Sequence, residues 1–529
     1  MKWAKPAFGR EQAVLFPESL DGAIRQDHPV RFLDELLSQL DWSKFEGRYH
    51  ESRGRAAIPP RYLAAIILYG TMCRIRSSRA MENAIGLRLD FRWLADGHSM
   101  DHTTLSEFRR EFAAERKDLF VQANQLARAL SGLTLRQLAF DGTRIRANNR
   151  RSGSRSVEAL EKQLEAEQTQ ADTKEELERE FDENDAEIEK EDSQEELVLP
   201  PVLTDPNKRS AEMAKAVAKL KRMKAAGEKL PKRIPVTDPD SRITPNKEGG
   251  FAPNYTPTAT VDADSGLIVD GDVIPHTDEE RHLLPTVDRV TQTYGTKPEG
   301  MSADGAFGNG ANLEGMETRG IDFYSPMADP QVNPAKRTDP TQPVPPEQWS
   351  QLPTCRVKNR DGKMQDQLQK STFIYDETND CYWCPNGQKL VRIRMTSQRN
   401  AYGERVHESR YKADAANCAG CPLKDRCIQA NANAKKAPAR EIGRDQYEKS
   451  RDRHKERMAT DKAKKAYRRR CAVAERPFAV IKQQFGARQF LLRGEEKVKN
   501  EWGWLILAFN LREMTGRLRR PAKPAQAGA

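Results

Sequence analysis

Apolar side chains along the first 130 or so residues recur every three to four positions, which predicts a helical segment. Leu105, Phe108 and Phe112 repeat with a period of about 3.6, and Asp101-His102-Thr103-Thr104 supplies cap residues just ahead of them. Pro59-Pro60 opens an earlier apolar run, Tyr62 to Tyr69, which the basic Cys73-Arg74-Ile75-Arg76 follows. At Leu135 the period changes. Leu138 and Phe140 alternate with Ala139 and Asp141 as in a buried strand, and Asp141-Gly142 ends it. Alternation returns at Thr258 to Asp264 and Leu267 to Ile274, a hairpin turned by Asp264-Ser265-Gly266. The pattern then predicts a helix near Glu279 to Tyr294, a short strand running into Asp304, a helix over Asn309 to Thr318 and a strand at Asp322 to Ser325. A long helix from about Thr460 carries six Lys and Arg residues and then Glu475; a last helix spans about Glu495 to Arg517.

Two stretches break this alternation. Between Ser156 and Glu196 there are 18 acidic residues against 4 basic, with a thin apolar stripe of Leu160, Leu164, Leu177, Phe181 and Ile188. That pattern predicts an exposed acidic arm, helical or disordered, followed by a basic helix from Ser210 to about Ala226 and a Pro-rich linker. From Pro326 to about Ala459 the chain is rich in Pro, Asn and Gln and holds most of the cysteines. The expected class is α/β: a helical, helix-turn-helix-like domain over 1–132, and a mixed-sheet core from 133–150, 251–326 and 460–517. An insertion over 151–250, a loop-rich cysteine insertion over 327–459 and a disordered tail over 518–529 complete the division.

Charge sharpens the picture. The net charge of +10 hides an asymmetry: outside the acidic arm 84 basic residues face 60 acidic ones. A surface that basic suits a polyanion, and arginines on several short helices, Arg76, Arg109, Arg110 and Arg116 among them, suggest a helix-turn-helix reader of DNA. The N-terminal ten residues lack the apolar run of a secretory signal, and no apolar stretch approaches the ~20 residues of a membrane span. A cytoplasmic, nucleoid-associated protein with reduced thiols is therefore expected. Five of the eight cysteines lie between Cys381 and Cys427, which favours a metal. Cys418-Ala-Gly-Cys421 with Cys427 and either Cys384 or Cys381 would suit tetrahedral Zn²⁺, a closed structural site. There is no His-Glu-x-x-His motif, no phosphate-binding Gly-x-x-x-x-Gly-Lys-Ser/Thr loop and no Gly-x-Ser-x-Gly elbow, which disfavours a zinc hydrolase, ATP use and a serine hydrolase.

Several segments carry a resemblance. Asp101-His-Thr-Thr-Leu-Ser-Glu-Phe-Arg109, Phe140-Asp-Gly-Thr143, Ser302-Ala-Asp-Gly-Ala-Phe307, Glu475-Arg-Pro-Phe478 with Lys482, and Glu501 to Arg512 resemble bacterial insertion-sequence transposases with a ribonuclease-H-like core, in the branch with a cysteine-bearing insert. The resemblance spans nearly the whole chain except the acidic arm. It implies an Asp-Asp-Glu triad at Asp141, Asp304 and Glu475 binding two Mg²⁺ (or Mn²⁺) ions, Asp141 bridging them. It also favours Cys384, Cys418, Cys421 and Cys427 as the Zn²⁺ ligands. Lys482, seven residues after Glu475, is expected on the same helix face beside a phosphate, although Pro477 is expected to kink the helix or start a new one. Related transposases often carry an Arg four residues before the Glu. Here that position is Cys471, Arg470 is one step out of register, and Arg468 is the expected substitute. The implied activity is metal-dependent cleavage at terminal inverted repeats and transfer into target DNA by a homo-oligomer. A ribonuclease-H-like nuclease that does not join strands, and a zinc-dependent DNA-binding regulator without catalysis, are the alternatives.

Overall fold

The computed structural model describes residues 19–49, 57–130, 132–149, 154–160, 206–227, 230–245, 249–274, 278–326, 337, 339–358, 364–400, 402–428 and 439–519. The acidic arm beyond Leu160 and nearly all of the C-terminal tail lie outside these residues. The chain divides into two compact units, one built from residues 1–279, 286–298 and 469–529, the other from 280–285 and 299–468.

The first unit is organised around the helix Glu495–Leu518, whose residues from Trp502 to Leu511 are all buried. A helix apolar on all sides must be surrounded. The helices Pro29–Ser38, Pro60–Met72, His102–Glu111 and Ala113–Leu130 pack on it from one side and the strand Ile268–Ile274 from another. Polar groups tie these layers together. Trp504 Nε1 donates to the Arg109 carbonyl (3.1 Å), Trp502 Nε1 to the Thr258 carbonyl (3.1 Å), and the Asn510 amide to the Ile268 carbonyl (2.7 Å). Gly503 is required by a close approach: a Cβ there would fall 1.9 Å from the guanidinium of half-buried Arg116, whose pKa desolvation pulls down to about 10. The expected cap is present, with Asp101 accepting from Thr104 N at 2.8 Å ahead of His102–Glu111.

The sheet of this unit is centred on β6 (Phe251–Asp262), twelve residues buried for most of their length. Antiparallel to it run β1 (Gln137–Gly142), β2 (Ile145–Arg146), β5 (Arg242–Pro245) and β7 (Ile268–Ile274). The register sets Asp141 opposite Ala259 and Gly142 opposite Thr258. The pair β3 (Ser154–Ser156) and β4 (Arg233–Pro235) carries a smaller core, in which Leu160, Ile234 and Val236 meet Met213, Val217 and Leu220 of the helix Pro206–Ala225.

In the second unit, β8 (Gly300–Ser302) and β9 (Asp322–Tyr324) pair in parallel, joined through the helix Gly310–Thr318. The segment expected to be loop-rich carries a β-sheet. A five-stranded antiparallel sheet runs in chain order from β12 (Ile374–Asp376) through β13 (Cys381–Trp383), β14 (Lys389–Arg399) and β15 (Arg405–Ala413) to β16 (Glu441–Asp445), preceded by the hairpin β10 (Thr354–Lys358) and β11 (Met364–Leu368). Its core is assembled from scattered single residues such as Phe373, Tyr382, Leu390, Tyr411 and Ile442, so no local apolar run announces it. Among the described residues no helix is long and apolar enough to cross a membrane.

Candidate active site

Asp141 is the penultimate residue of β1, half-buried, and its Oδ1 accepts from the Gly142 N–H (2.9 Å). Its other oxygen, Oδ2, lies 3.3 Å from Arg470 Nη1. Both side chains are well buried, Arg470 at 9% exposure and Asp141 at 16%. The arginine therefore neutralises the carboxylate in a poorly solvated place, where an unpaired charge would be costly.

Arg470 belongs to the helix Asp461–Ala479, which also carries Glu475. Position 470 falls on the buried stripe of that helix with Ala474, Pro477, Phe478 and Ile481, while Arg468, Arg469 and Glu475 are exposed. Spacing measured from Glu475 pointed to Arg468; the buried stripe singles out Arg470, and this is the signal that could have found it. Arg469 donates to the Ala263 carbonyl (2.6 Å).

Pro477 does not start a new helix but lies inside Asp461–Ala479. The α-helix continues to Ala479 and widens into a π-helical turn, Val480–Gln484. Single π-helical turns of this kind recur at functional sites. Lys482 sits in this turn and donates from Nζ to Thr143 Oγ1 at 2.5 Å. Glu475 is thus bracketed: five residues before it Arg470 holds Asp141, and seven residues after it Lys482 holds Thr143, two positions beyond Asp141.

A fourth carboxylate stands at the end of β1. Glu279 occupies the space that a side chain at Gly142 would fill, its Oε2 lying 2.1 Å from the position of a Cβ there. Strand alternation puts this face opposite that of Asp141. Asp304, in the second unit, follows β8 and caps a short 3-10 turn, accepting from Ala306 N at 2.9 Å, and it is half-buried.

The basic residues expected to read DNA divide by burial. Arg76 is enclosed, donating to the Gly486 and Gln489 carbonyls (both 3.0 Å) and to Glu501 Oε1 (2.6 Å). Arg109 is buried and donates to the Arg76 carbonyl (2.6 Å) and Ser78 Oγ (3.3 Å). A phosphate would have to displace these internal partners, because the last helix covers the face on which the two arginines lie. Arg110 is exposed and near Glu111 (3.5 Å), and Arg468 is exposed.

In the second unit Cys384, Cys418, Cys421 and Cys427 pack against the core of the five-stranded sheet, whereas Cys381 is buried in β13. Burial pushes the Cys427 thiol up to about 12 against the opposing charge of Arg440, and Cys384, Cys418 and Cys421 add to the rise. Among the described residues no group of three or more His, Cys, Asp and Glu side chains is arranged to hold a metal ion.

Two family models match the chain. The "Transposase domain (DUF772)" matches residues 18–111, and the "Transposase DDE domain" matches residues 383–515, a span that contains Glu475, Lys482 and the four cysteines but neither Asp141 nor Asp304. No curated protein matches the chain. DDE transposases are nucleic-acid-cleaving and strand-transferring enzymes that act on DNA with divalent metal ions. The two matches, one transposase domain near the N-terminus and a DDE domain toward the C-terminus, indicate a bacterial insertion-sequence transposase with a DDE domain.

Proposed function

We propose that the protein cleaves DNA at the terminal inverted repeats of its element and joins the freed ends to target DNA, with Asp141, Asp304 and Glu475 as the acidic triad. The observation that carries this reading is the bracketing of Glu475, whose helix is tied to the end of β1 by Arg470 on one side and Lys482 on the other.

Carboxylate oxygens at Asp141, Asp304 and Glu475 are the donor type that hard Mg²⁺ or Mn²⁺ prefers, so the residues suit the metal. Such ions activate the attacking oxygen and stabilise the leaving oxygen of an in-line displacement. The protein's own part is positional. Arg470 fixes the rotamer of Asp141 and balances its charge. Lys482, next to Thr143, offers an ammonium to a neighbouring phosphate, and exposed Arg468 and Arg110 extend that attraction along the DNA. The helices of residues 18–111 hold the terminal repeat, and paired ends engage a homo-oligomer. Cys384, Cys418, Cys421 and Cys427 would supply four soft thiolate donors to one structural Zn²⁺.

The test uses a supercoiled plasmid carrying the coding sequence with its natural flanks, a second plasmid as target, and Mg²⁺ or Mn²⁺. The wild type releases the element and joins it to the target. Asp141→Ala, Asp304→Ala and Glu475→Gln each retain DNA binding and lose cleavage by roughly a thousandfold or more. Cleavage without joining would make the protein a nuclease, and metal-independent binding without cleavage would make it a regulator.

A further inference from the structure

A cavity of about 540 Å³ opens in the first unit between the helices Pro29–Ser38, Pro60–Met72 and Glu495–Leu518. One wall is apolar, made by Leu33, Tyr69 and Met72. The Tyr69 ring is held in place from two sides, by its hydroxyl bond to Asp90 (2.8 Å) and by packing on Phe91 (5.0 Å between ring centres). The other wall is cationic, with Arg476, Arg512, Arg517 and Arg519 facing a single carboxylate, Glu513.

Glu513 already holds two of these guanidiniums, Arg476 at 2.6 Å and Arg512 at 3.3 Å. One negative charge among four positive ones leaves the cavity short of anion. Burial holds Arg517 below the usual arginine range; the charge of Glu513 opposes this and that of Arg476 adds to it. A bare phosphate would satisfy the arginines but leave the apolar wall unused. The volume lies in the range of roughly 300–1,000 Å³ typical of pockets for small organic ligands.

We propose that this cavity binds one nucleotide of the DNA substrate, its phosphate on Arg476 and Arg512 and its base against Tyr69, Leu33 and Met72. Guanidinium forks match phosphate oxygens, and a flat base stacks on aromatic and apolar side chains without regard to sequence. Arg476 directly follows Glu475, so the bound nucleotide belongs to the stretch of strand that the acidic site addresses. The inference rests on the reading of the protein as a DNA-cutting enzyme.

The experiment cross-links full-length protein by ultraviolet light to oligonucleotides bearing single 5-iododeoxyuridines, as single strand and as duplex, with deoxythymidine monophosphate as competitor. Cross-links should map to residues 60–73 or 495–519. Arg512→Gln should lower the slope of log K against log salt for the single strand by about 0.7, the value of one phosphate contact. Lys449→Gln, an exposed lysine paired with Glu377, should leave that slope unchanged. Met72→Glu, which sets a carboxylate in the apolar wall, should abolish the cross-link while the protein stays folded by circular dichroism. Cross-links confined to other segments, or equal slopes for the Arg512 and Lys449 variants, would overturn the proposal. Binding of the free monophosphate without any strand cross-link would reassign the cavity to a free nucleotide and overturn it too. A wild type that cuts DNA but fails these tests sinks the cavity alone, whereas one that binds no DNA sinks the transposase reading itself.

Discussion

Glu501→Gln tests whether Arg76 serves the fold or the DNA. In the wild type the Arg76 guanidinium meets Glu501 at 2.6 Å with the two side chains only 11% and 5% exposed. The same carboxylate also accepts from the Leu491 and Leu492 amides, each at 2.9 Å, so it fastens the loop before the last helix as well. Removing the charge leaves a buried guanidinium uncompensated, which costs about 3–5 kcal/mol when one partner of such a pair is lost. The glutamine still accepts from an amide, so the lower end of that range is expected. Arg76→Met alone strands the carboxylate and costs a similar amount. Arg76→Met with Glu501→Leu should cost well under the sum, because no charge is left unpaired, though two amides then lose their acceptor at about 1–3 kcal/mol each. Urea unfolding followed by tryptophan fluorescence suits the measurement, since Trp502 and Trp504 are buried within one turn of Glu501. A cost under about 1 kcal/mol for Glu501→Gln, the size of an exposed ion pair, would refute the reasoning and return Arg76 to the set available for phosphate.

Arg470→Gln should lower cleavage roughly 10- to 100-fold and shift the Mn²⁺ concentration needed for it, with Arg470→Lys partly restoring both; an unchanged metal titration would show that Arg470 does not position Asp141. Asp238 is fully buried, with Oδ1 accepting from Tyr255 and Gly494 N while Oδ2 has no hydrogen-bond partner among the described residues, and burial raises its pKa to about 6. Because the folded-state pKa lies above the ordinary value of 3.8, the stability this group contributes is full below about pH 4 and falls by about 3 kcal/mol as pH rises through about 6. Asp238→Asn should flatten that part of the profile, and an unchanged slope in urea titrations from pH 4 to 7 would rule the group out as its source. One equivalent of zinc should accompany each chain by elemental analysis and be lost in Cys418→Ser; a zinc-free wild type purified without chelator would leave the four cysteines as plain thiols.

The sequence disclosed those parts of the fold whose signal is local. The Asp101 cap, the alternation through Leu138 and Phe140, and the Asp264-Ser265-Gly266 turn each sit within a few residues of the structure they specify, and each appears where expected. The sheet from β12 to β16 escaped because its core is drawn from single apolar residues far apart in the chain, while β14 is exposed over most of its length. At the candidate site the acidic positions stood out as strand and helix punctuation, but the residue that touches Asp141 did not. Distance along the helix from Glu475 favours Arg468, whereas the place of Arg470 follows from the face it shares with Ala474, Phe478 and Ile481. The fates of Arg76 and Arg109 were hidden for a related reason. Their partners, Glu501 and the packing around Trp504, lie about four hundred residues away in the last helix.

The most direct test of the triad is to locate bound metal. Crystals of the protein with DNA from its element's end, grown with Mn²⁺ and measured at the manganese absorption edge, should show anomalous peaks at the carboxylates of Asp141, Asp304 and Glu475, two ions roughly 3.5–4 Å apart. Manganese bound elsewhere, or peaks that leave any one of the three carboxylates without a metal, would contradict the assignment.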